Sequence, residues 1–459
     1  MPQGRPPFTL RGQAVNAGNA AVAGFAETGD LSWALRSPPH DAGDTLGART
    51  PTQVTFPGDG SGFRTDSAVY REVGVVEQRL SDQGRFAADS GDPGNGDCVT
   101  GSRANTADGQ GRYGCRTATP GPQVAGRFVP DRFRVTDSGF GFARACSSSF
   151  TYYGQPFPWS AAPQVTITAL EQGGATTTNY EGPFWKLADY TDHYEDDSVN
   201  AEAADDGDDR ALDPSGTSHG WPATANAKGQ ITVPYSGTLT YLRGNAPLAP
   251  IAGADQLVKL RFDVADADGV RYEAGANPPT YLITPITGAG PVRWGRLALG
   301  NAYGPQDRDL AVPFTAQYYD GSRFVTNSDD TCTGTAVDVR VSASDPDTGD
   351  DLALAESCIW DDAGESGGYA CSASSPAGRG YAEPPVSGDF NLWLKAPGAS
   401  TSGDTNAGSI DLAADSLPGW LKFDWDNDTG TAQTGPSGRA TFGRYRGNDR
   451  ILFWQEVYR

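Results

Sequence analysis

The chain has 459 residues, with 57 Asp and Glu against 35 Lys and Arg, a formal charge of −22 and a pI near 4.4. That balance excludes nucleic acid as a partner: neutralising phosphates needs clustered basic residues, and the few lysines (Lys186, Lys228, Lys259, Lys395 and Lys422) are scattered. At ~150 residues per domain the length calls for about three domains, and 59 Gly, 33 Pro and 10% aromatic residues favour strands and turns.

Met1-Pro2-Gln3-Gly4-Arg5-Pro6-Pro7 lacks an apolar core for a signal peptide, so Met1 reads as an internal start. No stretch approaches the ~20 apolar residues of a membrane span. Ala14-Val15-Asn16-Ala17-Gly18, with Phe25 downstream, recurs as Ala169-Leu170-Glu171-Gln172-Gly173 with Tyr180 downstream, at one constant offset. Each copy runs through a loop into later strands: Ser61-Gly62-Phe63 to Val76 in the first, Gln230-Ile231-Thr232-Val233 to Leu242 in the second. A repeated strand-rich unit with regular turn signals predicts an all-β chain of tandem immunoglobulin-like β-sandwich modules in an elongated array. The modules are expected at 1–122, 123–290 (with a long acidic loop, Asp189–Asp213) and 291–459. Arg127–Phe157 precedes the second copy and has no counterpart before the first, so the first module is expected to be N-terminally truncated, without its opening strands.

In the third region Leu297/Leu299, Val337/Val339/Val341 and Leu392/Leu394 alternate as half-buried strands do. Leu352-Ala353-Leu354-Ala355-Glu356 reads as a short helical turn. Leu421, Phe423 and Trp425 alternate with polar neighbours and predict a further strand, followed by Arg439-Ala440-Thr441-Phe442, a Gly447-Asn448-Asp449 turn and a last strand over Ile451-Leu452-Phe453-Trp454.

Six cysteines without a C-x-x-C pair indicate disulfides in an oxidising compartment and not zinc. Cys98 and Cys115 bracket a Gly-rich loop and form the best local pair. Cys358 and Cys371 bracket a second such loop, which leaves Cys146 and Cys332.

Catalytic signals are weak. His40, His193 and His219 show no ligand or triad spacing and read as exposed loop histidines. Gly364-Glu365-Ser366-Gly367-Gly368 satisfies G-x-S-x-G, but no strand–turn–helix surrounds it. Phosphate-binding loops are lacking, and Asp196-Asp197 and Asp205-Asp206 lie adjacent in one loop, not across a cleft as glycoside hydrolysis requires. Asp424-x-Asp426-x-Asp428-x-Gly430 places three alternate carboxylates in one loop, a hard-oxygen set suited to Ca²⁺, although it departs from the EF-hand pattern. Asp263, Asp266 and Asp268, before Gly269, form a weaker candidate of the same kind.

Several segments together resemble the MshQ-like family, encoded with mannose-sensitive haemagglutinin type IV pili. They are Arg127–Phe133, Phe150–Phe157, Asn179-Tyr180-Glu181-Gly182, Arg296–Gly304, Val312–Gly321, Phe324–Thr333 and the tail from Leu421. The resemblance implies a secreted, extracellular protein of the bacterial surface or pilus that acts as an adhesin or accessory protein. Its partners would be pilus or cell-surface components, or host or surface glycans. The modules would form a rigid rod and present loops such as Asp189–Asp213 and Asp361–Pro384. Trp159, Trp185 and Trp221 are candidates for a sugar-stacking patch. Two other classes stay open: a glycan-active hydrolase, and a structural subunit that assembles into a fibre by strand addition.

Overall fold

The structure is a computed structural model. It describes residues 7–36 apart from 17, 43–82, 96–146 apart from 97 and 105, 149–196, 212–252 apart from 224 and 226, 258–333 apart from 274, 338–343, 352, 356, 357, 359, 360, 378–380, 385–399, 406–425 and 433–444. Among them the only helices are single 3-10 turns such as Gly182–Phe184 and Gly419–Leu421, and none is long and apolar enough to cross a membrane. The chain is all-β.

The first module comprises β1 (Phe8–Gly12), β2 (Thr28–Leu35), β3 (Arg49–Thr50), β4 (Gln53–Thr55), β5 (Phe63–Tyr70), β6 (Gly74–Ser81), β7 (Cys98–Val99), β8 (Tyr113–Gly114) and β9 (Gln123–Phe128). Its two sheets run β1-β5-β3 and β4-β2-β6-β9. The second holds β10 (Arg132–Ser138), β11 (Thr151–Tyr152), β12 (Phe157–Pro158), β13 (Gln164–Leu170), β14 (His193–Asp196), β15 (Leu212–Asp213), β16 (Thr217–His219), β17 (Gln230–Tyr241), β18 (Val258–Asp263) and β19 (Thr280–Ile286). One sheet runs β10-β13-β17-β12, with β15 and β16 also on β17, and the other runs β14-β18-β19.

The third contains β20 (Val292–Arg293), β21 (Gly295–Leu299), β22 (Ala302–Gly304), β23 (Leu310–Val312), β24 (Phe314–Tyr319), β25 (Phe324–Thr326), β26 (Asp338–Ala343), β27 (Ile359–Trp360), β28 (Gly378–Gly380), β29 (Leu392–Leu394), β30 (Gly408–Ser416) and β31 (Ser437–Phe442). Its sheets are β21-β24-β25, β22-β31-β30-β26-β28 and β23-β29-β27. β9, which extends to Phe128, pairs with β6.

The sequence repeat is a structural one. Asn16 Oδ1 accepts the amides of Gly18 and Ala20, and Glu171 accepts those of Gly173 and Ala175, at the same offset. The bridges Val15–Ala21 and Leu170–Thr176 close the same turn. Leu10 pairs with Thr65 as Val165 pairs with Val233. Even the irregularity is shared: β6–β9 slips between Gly74 and Val76, β18–β19 between Val258 and Leu260. The copies differ in their cores. Buried Val165, Ile167, Tyr180 and Phe262 belong to one large cluster in the second module, whereas the first divides its core between a cluster around Trp33 and a smaller one around Phe25.

Both module junctions are fastened by buried polar side chains. At the first, Asn179 accepts the Thr45 amide at 3.0 Å and donates to the Thr45 and Val73 carbonyls at 2.9 and 3.2 Å. Glu72 accepts the amides of Thr178 and Asn179 at 3.1 and 3.3 Å, and burial holds its carboxyl above the usual range. Arg71 pairs with Glu171 at 2.9 Å, and Lys228 reaches both Asp44 and Glu181. At the second, β11 pairs in parallel with β20. Asp330, fully buried, accepts the Tyr152 hydroxyl at 2.7 Å, and Asn327 donates to that same hydroxyl at 2.8 Å. A disulfide between Cys146 and Cys332, 186 residues apart, crosslinks the two modules.

Candidate functional site

Acidic residues far outnumber histidines in this chain, so a histidine with two carboxylate partners is informative. His219 ends β16, paired with Tyr235 of β17, and its side chain is 13% exposed, not a free loop histidine as expected. Nδ1 lies 2.6 Å from Asp192 Oδ2 and Nε2 lies 2.7 Å from Asp189 Oδ1. Protonation lets the ring donate to both carboxylates at once. The Tyr235 hydroxyl donates to the other oxygen of Asp192 at 2.9 Å and lies 2.9 Å from the Tyr190 hydroxyl. Tyr190 stacks on Phe262 at 4.1 Å and meets Trp221 edge-on at 5.4 Å.

Burial acts against charge on His219, but hydrogen bonds and charge from Asp192 and then Asp189 outweigh it and raise its pKa. Burial likewise pushes the Asp192 carboxyl up, against the pull of His219 and Tyr235. Both partners therefore rise, since Asp192 loses more from leaving water than one cation restores. Both ring nitrogens are engaged by carboxylates, so the cluster is built as a clamp. It ties Asp189 and Asp192, at the start of the acidic Asp189–Asp213 loop, to the β16–β17 hairpin. β14 and β15 carry the two ends of that loop, and 197–211 lie outside the described residues. Sequence spacing hides this cluster, because His219 lies 27 and 30 positions from its carboxylates.

The three candidate tryptophans are half-buried against the second core. Trp159 stacks on Phe142 at 4.7 Å and Trp185 packs on Tyr180 at 4.9 Å. Only Trp221 adjoins the clamp.

Of the calcium candidates, Asp424 is half-buried beside Phe423, while Asp426 and Asp428 lie outside the described residues. The weaker set diverges: Asp263 accepts Thr280, Asp266 caps its own turn through the amides of Asp268 and Val270, and Asp268 pairs with Arg127. Those carboxylates share no centre. A disulfide joins Cys98 to Cys115. Cys358 and Cys371 lie outside the described residues, as do Ser366, most of Asp361–Pro384, His40 and the chain beyond 444.

The expected strand over Leu421–Trp425 is instead the 3-10 turn Gly419–Leu421 with a single bridge, Phe423–Thr434. Arg243 anchors this segment by its backbone. Its guanidinium lies 3.4 Å over the Trp294 ring and donates to the carbonyls of Trp420 and Lys422, both at 2.5 Å.

Residues 101–280 match the third domain, and 293–457 the fourth domain, of DUF6701. The chain therefore carries DUF6701 domains over most of its length. No curated protein matches the sequence. Among solved structures it is similar to FdeC, an Escherichia coli adhesin, at 10% identity over 96% of this chain and 94% of that one, with a TM-score of 0.28. It is also similar to the CupB6 tip adhesin from Pseudomonas aeruginosa, at 11% identity over 68% and 97%, with a TM-score of 0.17. Superpositions this loose carry no argument about function.

Proposed function

We propose that this DUF6701 chain is a secreted, MshQ-like, pilus-associated or cell-surface adhesin or accessory protein, without enzymatic activity, that holds binding loops on a stiff run of β-sandwiches. One observation carries the reading: the segments that bear the family resemblance build the junctions. Asn179 of Asn179-Tyr180-Glu181-Gly182 fastens the first junction, and Tyr152, Asn327 and Asp330 fasten the second. Buried hydrogen bonds between modules fix orientation, because breaking one leaves a polar group unsatisfied away from water. A stiff scaffold suits loop display and adds nothing to hydrolysis, and the titratable cluster that is best positioned is locked by its own partners. The Asp189–Asp213 loop, clamped at its root by His219, is the binding element this reading favours, and surface glycans or pilus components are its partners.

The test is binding of purified protein to cell surfaces and to a glycan array, with 197–211 replaced by a Gly-Ser linker in a second preparation. Binding that is lost with the loop while the melting curve is kept supports the reading. Loop-independent binding, or release of sugar from any glycan on the array, overturns it.

A further inference from the structure

We infer that the outer edge of β1 accepts one further antiparallel strand from a partner segment with the side-chain pattern of β10. The internal duplication shows what belongs there. In the second module β13 is flanked on both sides: β17 on one, β10 on the other, the latter running from Arg132 opposite Leu170 to Ser138 opposite Gln164. β1 holds the equivalent place in the first module: over Leu10–Gly12 it pairs with β5 as Val165–Ile167 of β13 pair with β17. Among the described residues nothing pairs with its other edge, so a row of backbone donors and acceptors faces outward.

The apolar surface beneath is unfinished in the same place. Val165, Ile167 and Ala169 of β13 are at most 1% exposed, whereas their counterparts Leu10 and Ala14 are only half-buried, and Gly12 has no side chain. In the second module Phe133 sits opposite Ala169 and Val135 opposite Ile167, both buried. Transferred to the first, an incoming strand would set an aromatic residue opposite Ala14 and a β-branched one opposite Gly12. There they would cover Leu10 and the Phe63 ring, which lies so close to Gly12 that a Cβ would stand 2.1 Å from it. The occupant is therefore an extended segment with an aromatic and a β-branched residue two positions apart on its inner face and polar residues between them. Main-chain pairing supplies affinity, and the two inward side chains supply register.

This inference is independent of the adhesion reading, and so is its test. The Pro130–Ser138 sequence is fused ahead of residue 1 of the full chain through a Gly-Ser linker. A control fusion exchanges Phe133 with Arg134 and Val135 with Thr136 within the added copy, moving the apolar pattern to the other face. Amide exchange is then read peptide by peptide. The patterned fusion should slow exchange over Phe8–Gly12 by about tenfold or more, the equivalent of one or two net hydrogen bonds, and the control should not. Equal exchange in the two fusions, or protection falling on β4 or β9 in place of β1, overturns the assignment.

Discussion

Replacing Asn179 by Ala removes all three hydrogen bonds by which its side chain joins the first two modules and leaves the Thr45 amide and the Thr45 and Val73 carbonyls without that partner. Asn179 is 1% exposed, so bulk water does not reach the site in the folded state. At about 1 kcal/mol net for each bond the loss is about 3 kcal/mol. In a module of this size that lowers the melting point by roughly 10 °C. The loss should be local: the first module melts ahead of the second, and the peptide covering 43–47 exchanges faster while β17 and β18 keep their protection. Asn179→Asp sharpens the test. It keeps the shape and an acceptor, but it loses the amide donors and sets a second carboxylate beside Glu72, which already resists ionisation. It should therefore cost more at pH 7 than at pH 4. Calorimetry and exchange on the three proteins decide the matter. A shift below about 0.5 kcal/mol, with unchanged exchange at 43–47, would refute the claim that Asn179 sets the junction, since even one lost buried bond exceeds it.

Four further outcomes are expected. His219 has a folded pKa above its unfolded value, so its clamp is fully stabilising below about pH 6.5 and weakens as pH rises through the folded pKa; melting curves from pH 5 to 9 should show that slope in the native chain and a flattened one in His219→Gln. Chain entropy assigns about 5 kcal/mol to the 186-residue Cys146–Cys332 closure and about 3 kcal/mol to the 17-residue Cys98–Cys115 closure, so the double Ala variant of the first pair should unfold at lower urea than that of the second. Small-angle scattering should give a radius of gyration well above the ~23 Å of a compact chain of this length; a value at or below that rules out an elongated array. Millimolar Ca²⁺ should raise the melting point over EDTA if Asp424, Asp426 and Asp428 hold the ion, and Asp426→Asn should abolish the rise.

What was legible in the sequence was whatever lay close along it. The Ala14–Gly18 and Ala169–Gly173 copies fold into the same turn because the residue that caps it, Asn16 or Glu171, sits two and four positions from the amides it accepts. Alternation located β21 and β29, whose Leu297, Leu299, Leu392 and Leu394 are buried. The His219 clamp depends on residues brought together by strand pairing, and periodicity carries no trace of that. The Leu421–Trp425 segment alternates as a strand does and yet forms a 3-10 turn and a single bridge, held by Arg243 from nearly 180 positions earlier, a contact that alternation cannot encode. Asn179 was visible only as part of a motif; its role emerges once Thr45 and Val73 are placed beside it.

The Cys146–Cys332 crosslink also sets how the molecule would respond to being pulled. Tension applied between the first module and the far end of the third would pass from Cys146 to Cys332 through one covalent bond and bypass the chain between them. β11 to β25, and with them the His219 clamp, would sit on an unstressed branch. The 186 intervening residues represent about 600 Å of extensible length at full stretch, and none of it could be drawn out while the bond is intact. Of the middle module only β10, which precedes Cys146, would carry load, and its seven-residue pairing with β13 would be the part of that module tested first.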